Sequence, residues 1–237
     1  MISAVILAGG LGTRLRSTVP DVPKPMASVA GRPFLEYQLD YWIGKGIERF
    51  ILSVGYRHEV IIEHFGDRYN GVELLYVVEQ VPLGTGGGLL LAVKEVGLTS
   101  PFLLLNGDTY FEADWAYLSN FAESNNADWC FSLFRSNEDG RYMGMDISPE
   151  GEVLSMKASA MGLGCLSNGG AYWVRPQVLE EAGFRVGTPV SLEDDIFPAM
   201  KLARRRMFGI EFCGTFIDIG VPDDYFRAES LLGFSGS

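Results

Sequence analysis

Three groups of residues in this chain have the types and spacing for phosphate chemistry. The first is bare backbone: "LAGGLGTRL" ends an apolar run at Leu7 and Ala8 and follows it with Gly9, Gly10 and Gly12. Consecutive N–H groups there can approach an anion with no Cβ in the way. Thr13 adds a hydroxyl donor, and Arg14 a permanently charged planar fork suited to phosphate oxygens. The second is Lys24, held between Pro23 and Pro25, which delivers a flexible ammonium from a stiff base. The third is a pair of aspartates, Asp108 after "FLLLNG" and Asp218 after "TFI". One carboxylate from each of two strand ends is a way to hold Mg²⁺, which keeps several waters and bridges to substrate phosphates.

Each group also has a plainer reading. Two glycines after a strand make a tight turn, a lysine solubilises, and a lone aspartate caps a helix. The turn does not explain Arg14, and a solubilising lysine seldom needs two flanking prolines. Familiar glycine motifs fit poorly. A P-loop needs G-x-x-x-x-G-K-[ST], and no Lys-Ser or Lys-Thr follows these glycines. A dinucleotide fingerprint wants G-x-G-x-x-G with an acid about 20 residues on; "GGLGTR" breaks the third glycine, and Glu36 falls in a helical pattern. His58 and His64 have no suitable third ligand nearby, so zinc is not expected.

The elements that must position these residues follow from hydrophobic spacing. Residues 2–7 form a short continuous apolar run bounded by glycine, the pattern of a buried parallel strand. Helical spacing over 33–46, with Phe34, Leu35, Leu39, Trp42 and Ile43 on one side, predicts a helix stopped at Gly46. Strands at 50–54, 73–78 and 102–105 alternate with helices at 58–65 and 88–96, implying βαβ units and a mostly parallel sheet. Ligands of such sheets bind beyond the carboxyl ends of the strands. The second half reads as a mixed section with strands at 129–134, 144–147 and 171–174 and a helix over 192–204. Strands at 208–212 and 215–219 are expected to close the sheet, before a terminal helix at 222–232. Asp114, Asp194, Asp195, Asp223 and Asp224 read as solvated or capping residues.

At 237 residues the chain is long enough to bury about 70% of its extended surface. Its formal charge of −11 argues against nucleic acid as a partner. Against that balance, the first 32 residues hold Arg14, Arg16, Lys24 and Arg32 with one acid, Asp21, a local concentration of cations. No apolar stretch reaches the roughly 18 residues of a membrane span. Three widely spaced cysteines suggest reduced thiols, and a cytoplasmic location is expected. A homodimer is compatible with the sequence.

Beyond the first loop, "PLGTGGG", "LLNGDTYF", "NGGAYWV", "SLEDDIFP" and "FIDIGVPDDY" follow in one unbroken order. Together with "LAGGLGTRLRSTVPDVPKPM" this series resembles the sugar-1-phosphate nucleotidyltransferases, from Met1 to about Leu232. Within them the pattern is most similar to guanylyltransferases of manno-configured heptose 1-phosphates. Mannose-1-phosphate guanylyltransferases and muramate-type uridylyltransferases are close behind.

The resemblance implies a three-layer αβα fold, with a Rossmann-like, mostly parallel sheet and a small mixed-sheet sugar-binding part. It implies one domain over 1–232, nucleotide-binding mainly in 1–110 and sugar-phosphate-binding mainly in 111–232, with 233–237 a tail. It implies Mg²⁺ on Asp108 and Asp218, and catalytic roles for Arg14, Lys24 and Asp108. The nucleotide would lie against Leu7 to Gly10, Gly12, Thr13, Arg14 and Lys24, with its base near Glu79, Gln80, Pro82, Leu83, Gly84, Thr85 and Gly86. The sugar phosphate would meet Asn106, Gly107, Lys157, Asn168, Gly169, Gly170 and Glu193. Glu193 also reads as a helix opener and Asn168 as a turn residue. Many relatives carry a Glu–Lys pair after a "VLSF"-like strand, and "VLSMKASAMGLG" lacks it. Either Lys157 replaces that lysine through a shifted loop, or sugar-phosphate binding is differently specified. The rival readings are a nucleotide-sugar sensor and an NAD(P)-dependent oxidoreductase.

Overall fold

The computed structural model of the chain describes residues 1–10, 12, 15, 19, 22–138, 140–157 and 162–233. The chain enters as β1 (Ser3–Ala8), passes a 3-10 turn at Lys24–Met26 and a short hairpin, β2 (Ser28–Val29) and β3 (Arg32–Pro33), and runs into α1 (Phe34–Gly44). Then come β4 (Arg49–Val54), α2 (His58–Phe65), β5 (Arg68–Tyr69), β6 (Val72–Val78), α3 (Gly84–Val96) and β7 (Phe102–Asn106). After β8 (Thr109–Phe111), α4 (Trp115–Ser124) and β9 (Trp129–Ser136) lies the hairpin β10 (Gly144–Ile147) and β11 (Val153–Lys157). The long β12 (Cys165–Val174), α5 (Gln177–Glu181), a π-turn at Leu192–Ile196, α6 (Phe197–Leu202), β13 (Met207–Glu211), β14 (Phe216–Asp218) and α7 (Pro222–Leu232) complete the described chain.

The centre of the sheet is parallel, in the order β7, β1, β4, β6. The chain winds outward from β1 to β6 and returns to the other side of β1 as β7. Strand order therefore reverses between β1 and β7, and the crevice at that reversal is where such sheets take ligands. Beyond β7 the sheet turns mixed: β12 runs antiparallel to β7 and to β9, and β13 adds parallel to β9.

Alternation along β1 explains the layers. Ala4, Ile6 and Ala8 face Leu35, Leu39 and Trp42 of α1, whereas Val5 faces the cluster holding Leu89 and Val93 of α3 and Phe197 of α6. The fold is the three-layer α/β arrangement expected. In the second cluster Trp129 meets Phe197 at 5.2 Å and Tyr172 at 5.5 Å. Truncating such a tryptophan to alanine costs about 3–5 kcal/mol.

Four expectations need correction. β14 does not close the main sheet; it pairs antiparallel with β8, setting Asp218 opposite Thr109. α3 begins at Gly84 rather than 88. The stretch 192–204 divides into a π-turn and the short α6, with Pro198 in the first turn of α6. Asp224 is 3% exposed and ion-paired with Arg141 and Arg227, so it is no solvated residue. Among the described residues no helix is long and apolar enough to cross a membrane.

Candidate active site

A cleft of about 1040 Å³ opens over the carboxyl ends of β1 and β7. Its floor requires glycine. Gly107 donates its N–H to the Leu7 carbonyl at 3.0 Å. A Cβ on Gly107 would stand 2.4 Å from that carbonyl oxygen, so the strand ends meet only without a side chain. Gly9 lies against Glu79, where a Cβ would come within 2.2 Å of the carboxylate, and Gly12 has φ +60°. A Cβ on Gly10 would meet nothing within 4 Å among the described residues. Leu7, Ala8, Gly9, Gly10 and Gly12 all line the cleft. Thr13 and Arg14 lie outside the described residues.

Lys24 opens the 3-10 turn after Pro23. The turn is closed by hydrogen bonds from the Met26 N–H to the Pro23 carbonyl at 2.8 Å and from the Ala27 N–H to the Lys24 carbonyl at 3.0 Å. Its ammonium reaches the Asp108 carboxylate at 2.5 Å. Asp218 arrives from β14, and the Ile219 N–H bonds the Asp108 carbonyl at 2.9 Å, which ties the two strand ends together. Asp218 Oδ1 accepts the Gly220 N–H at 2.6 Å. A Cβ on Gly220 would lie 2.7 Å from Asp218 Oδ1 and 3.1 Å from Lys24 Nζ, so all three charged groups share one corner. Burial, and then the charge of Asp108, hold the Asp218 carboxyl well above the usual carboxylate range, while Lys24 pulls it back. Two hard carboxylate donors whose negative charge is undercompensated fit Mg²⁺ completed by waters or substrate oxygens.

One wall is the segment from Glu79 to Thr85. Glu79 accepts from Ser53 Oγ at 3.0 Å and from the Leu83 N–H at 3.1 Å, and burial raises its carboxyl. Pro82, Gly84 and Thr85 line the cleft beside it, whereas Gln80 is exposed outside and Leu83 and Gly86 are buried behind. The glycines here serve packing as well as access. Cβ atoms at Gly84, Gly86 and Gly87 would meet the 188–196 segment at 2.7 to 2.9 Å. That contact is sealed by the Gly87 N–H on the Val190 carbonyl at 3.0 Å and the Val190 N–H on the Leu83 carbonyl at 2.8 Å.

Across this seam Thr85 Oγ1 accepts the Leu192 N–H at 2.9 Å and donates to Glu193 Oε2 at 3.1 Å. Asn168 sits at an irregularity in β12, where the register against β9 shifts. Its Nδ2 donates to the Tyr172 hydroxyl at 2.8 Å and its Oδ1 accepts the Gly170 N–H at 3.1 Å. Asn106, Gly107, Asn168 and Gly170 line the cleft; Gly169 is pressed against Phe111 instead. Lys157 lies at the rim, paired with Asp146 at 2.8 Å. Two further cations line this end that sequence reasoning did not single out, Arg141 and Lys201, together with Tyr142. A signal for Arg141 was present in "GRYMG", a cation and an aromatic between glycines. Arg175, by contrast, is engaged with Asn126 and Ala127 at the far end of β12.

The family model described as nucleotidyl transferase matches residues 3–233. The chain is 36% identical over 226 residues to the D-glycero-alpha-D-manno-heptose 1-phosphate guanylyltransferase of Campylobacter jejuni, covering 95% of this chain and 98% of that protein. It is 37% identical over 231 residues to the Aneurinibacillus thermoaerophilus enzyme of the same name, covering 98% of each. Among solved structures, HddC from Yersinia pseudotuberculosis superposes with a TM-score of 0.82 at 33% identity, covering 98% of this chain and 99% of that one. The same protein complexed with GMP-PN gives a TM-score of 0.81.

Proposed function

The chain belongs to the nucleotidyl transferase family, and from that premise we propose that it joins GTP and a manno-configured heptose 1-phosphate into GDP-heptose in the cytoplasm. The observation that carries the reaction is the corner of Lys24, Asp108 and Asp218 beside the glycine loop. An oxygen of the sugar 1-phosphate attacks the α-phosphorus, the bond from that phosphorus to the bridging oxygen breaks, and pyrophosphate leaves with the electron pair. A phosphate monoester is already an anion, so no general base is needed. Positioning and charge neutralisation supply the acceleration.

In this reading the glycine-loop N–H groups, with Arg14, hold the β- and γ-phosphates, and Lys24 faces the reacting phosphates. Asp108 and Asp218 would hold Mg²⁺, which supplies Lewis-acid neutralisation of phosphoryl charge. Residues 1–110 would serve mainly the nucleotide and 111–232 mainly the sugar phosphate, with Asn106, Gly107, Asn168, Gly170 and Glu193 around the sugar.

Guanine is supported by Glu79. An ionised carboxylate only accepts hydrogen bonds, and guanine offers N1–H and N2–H₂ side by side, whereas uracil and thymine flank one N–H with two carbonyls. The manno-heptose is supported by the names of the two relatives similar over nearly their whole length. The test is pyrophosphate release across GTP, UTP, CTP, dTTP and ATP against mannose, glucose, N-acetylglucosamine, muramate-type and manno-heptose 1-phosphates, ranked by kcat/KM. GTP with the heptose is the expected best pair. UTP or dTTP with a gluco-configured sugar overturns the pair and leaves the reaction class, and nucleotide binding without any release makes the protein a sensor.

A further inference from the structure

Helix α1 packs its apolar side onto the sheet, yet one residue on that side is a glutamine. Gln38 is 1% exposed, among Leu35, Leu39 and Trp42. Glutamine is seldom fully buried, and a buried amide is kept where its hydrogen bonds are needed. Gln38 Nε2 donates to the Asn106 carbonyl at 2.8 Å and also to the Thr109 carbonyl. These two carbonyls bracket Gly107 and Asp108. Gln38 Oε1 is buried with no hydrogen-bond partner among the described residues. The amide is therefore used for its donors alone, and the fold tolerates an orphaned acceptor to place them there.

The rest of the turn is pinned from other directions. The Gly107 N–H is held by Leu7 and the Asp108 carbonyl by Ile219. The Asn106 and Thr109 carbonyls would otherwise face the underside of α1 without the Gln38 donors. One side chain thus fixes both shoulders of the turn, and the Asp108 carboxylate projects from between them to Lys24.

We propose that Gln38 is a positioning residue for Asp108, setting the height and tilt of its carboxylate from beneath the cleft without touching substrate. The proposal rests on the reading of Asp108 as a group that acts at the transferring phosphoryl. Small displacements of such a group cost rate far more than they cost ground-state binding.

The test is Gln38→Met, which keeps length and helix propensity and removes both donors. It is compared with wild type by steady-state kinetics, by melting, and by Mn²⁺ binding followed by electron paramagnetic resonance with GTP present. Kcat should fall about tenfold or more, nucleotide KM should stay within about twofold, and the Mn²⁺ half-saturation concentration should rise several-fold. Gln38→Asn, which retains an amide too short to span both carbonyls, should fall between the two; it carries the test if the methionine variant does not fold. Folded variants with wild-type kcat and Mn²⁺ binding, or with a lowered melting midpoint alone, overturn the proposal. Asp108→Asn in the same assays separates the two readings. If it keeps turnover and Mn²⁺ binding, the role of Asp108 falls and the proposal with it. If it loses both while Gln38→Met keeps both, the positioning role alone falls.

Discussion

The ammonium of Lys24 and the carboxylate of Asp108, 84 positions apart in the chain, meet at 2.5 Å. The pair is neither buried nor free: the lysine is 15% exposed and the aspartate 35%. A charge pair lining the cleft is held ready to be shared with a third charged group, and Asp218 lies within the same corner. Asp108→Asn and Asp218→Asn should each cut turnover at least about 100-fold, since phosphoryl charge neutralisation is worth several kcal/mol. Pyrophosphate release and thermal melting check this; near-normal turnover in either purified variant removes that residue from the proposed Mg²⁺ site.

Lys24→Ala should lower kcat more than it raises nucleotide KM. In the proposed reaction the lysine faces the reacting phosphates, where charge develops in the transition state, and such interactions act on kcat. A change confined to nucleotide KM would instead assign it to ground-state binding.

Two glycines of the floor should fail in opposite ways. A Cβ at Gly107 meets the Leu7 backbone at 2.4 Å, and neither strand end can give. Gly107→Ala should lose about 1–3 kcal/mol, or roughly 2–12 °C in melting midpoint. Among the described residues a Cβ at Gly10 meets nothing within 4 Å. Gly10→Ala should melt with wild type and raise the nucleotide KM, because in the proposed reaction the space it fills is taken by the nucleotide. A destabilised Gly10→Ala with unchanged KM would reverse that assignment.

This difference shows what the sequence could and could not convey. The parallel core was legible because buried strands are continuous apolar runs: "AVILA" and "FLLLN" both proved to be central strands meeting at the cleft. Terminal helix α7 was legible from Pro222 at its start. The path of β14 was not, because pairing with β8 rather than the main sheet depends on a contact with a strand of only 3 residues, which carries little pattern. "GTGGG" showed a need for bare backbone without showing for what; the structure presses most of it on the 188–196 segment. Gln38 was not legible for a related reason: its partners are backbone carbonyls about 70 residues away, which spacing does not encode. For Arg141 the long-range partner Asp224 was equally hidden, although Glu138 lies close by in the chain.

Thr85 joins the two walls of the cleft, and its hydroxyl can be removed at constant shape. Without it Glu193 loses a donor and the Leu192 N–H an acceptor, each connection worth about 0.5–1.5 kcal/mol. Thr85→Val should raise the sugar 1-phosphate KM about fivefold or more with a smaller effect on nucleotide KM, and Thr85→Ser should restore it. Equal effects on both substrates would mean that the hydroxyl serves the loop fold rather than Glu193.

The cations at the sugar end divide by the cost of leaving their partners. Arg141 is bound to Glu138 and to Asp224, and Asp224 is 3% exposed. Turning Arg141 toward a substrate phosphate would strip a buried carboxylate of one partner, leaving Arg227 at 3.0 Å on its other oxygen. Breaking such a buried pair costs about 3–5 kcal/mol. Lys157 is paired with Asp146 where both side chains are more than half exposed, so exchanging that carboxylate for a phosphate costs little. Of these two, Lys157 is the cation freer to turn toward the proposed acceptor, and Arg141 the one that ties Glu138 to α7. Lys157→Met should raise the sugar 1-phosphate KM about tenfold, the scale of one lost charge-assisted hydrogen bond, and leave the melting midpoint unchanged. Arg141→Met should lower the melting midpoint by roughly 6–20 °C, from that pair energy. Kinetics with the sugar phosphate varied, run beside melting curves, separate the two. A Lys157→Met enzyme with wild-type acceptor KM, next to a stable Arg141→Met enzyme with a raised one, would exchange the roles.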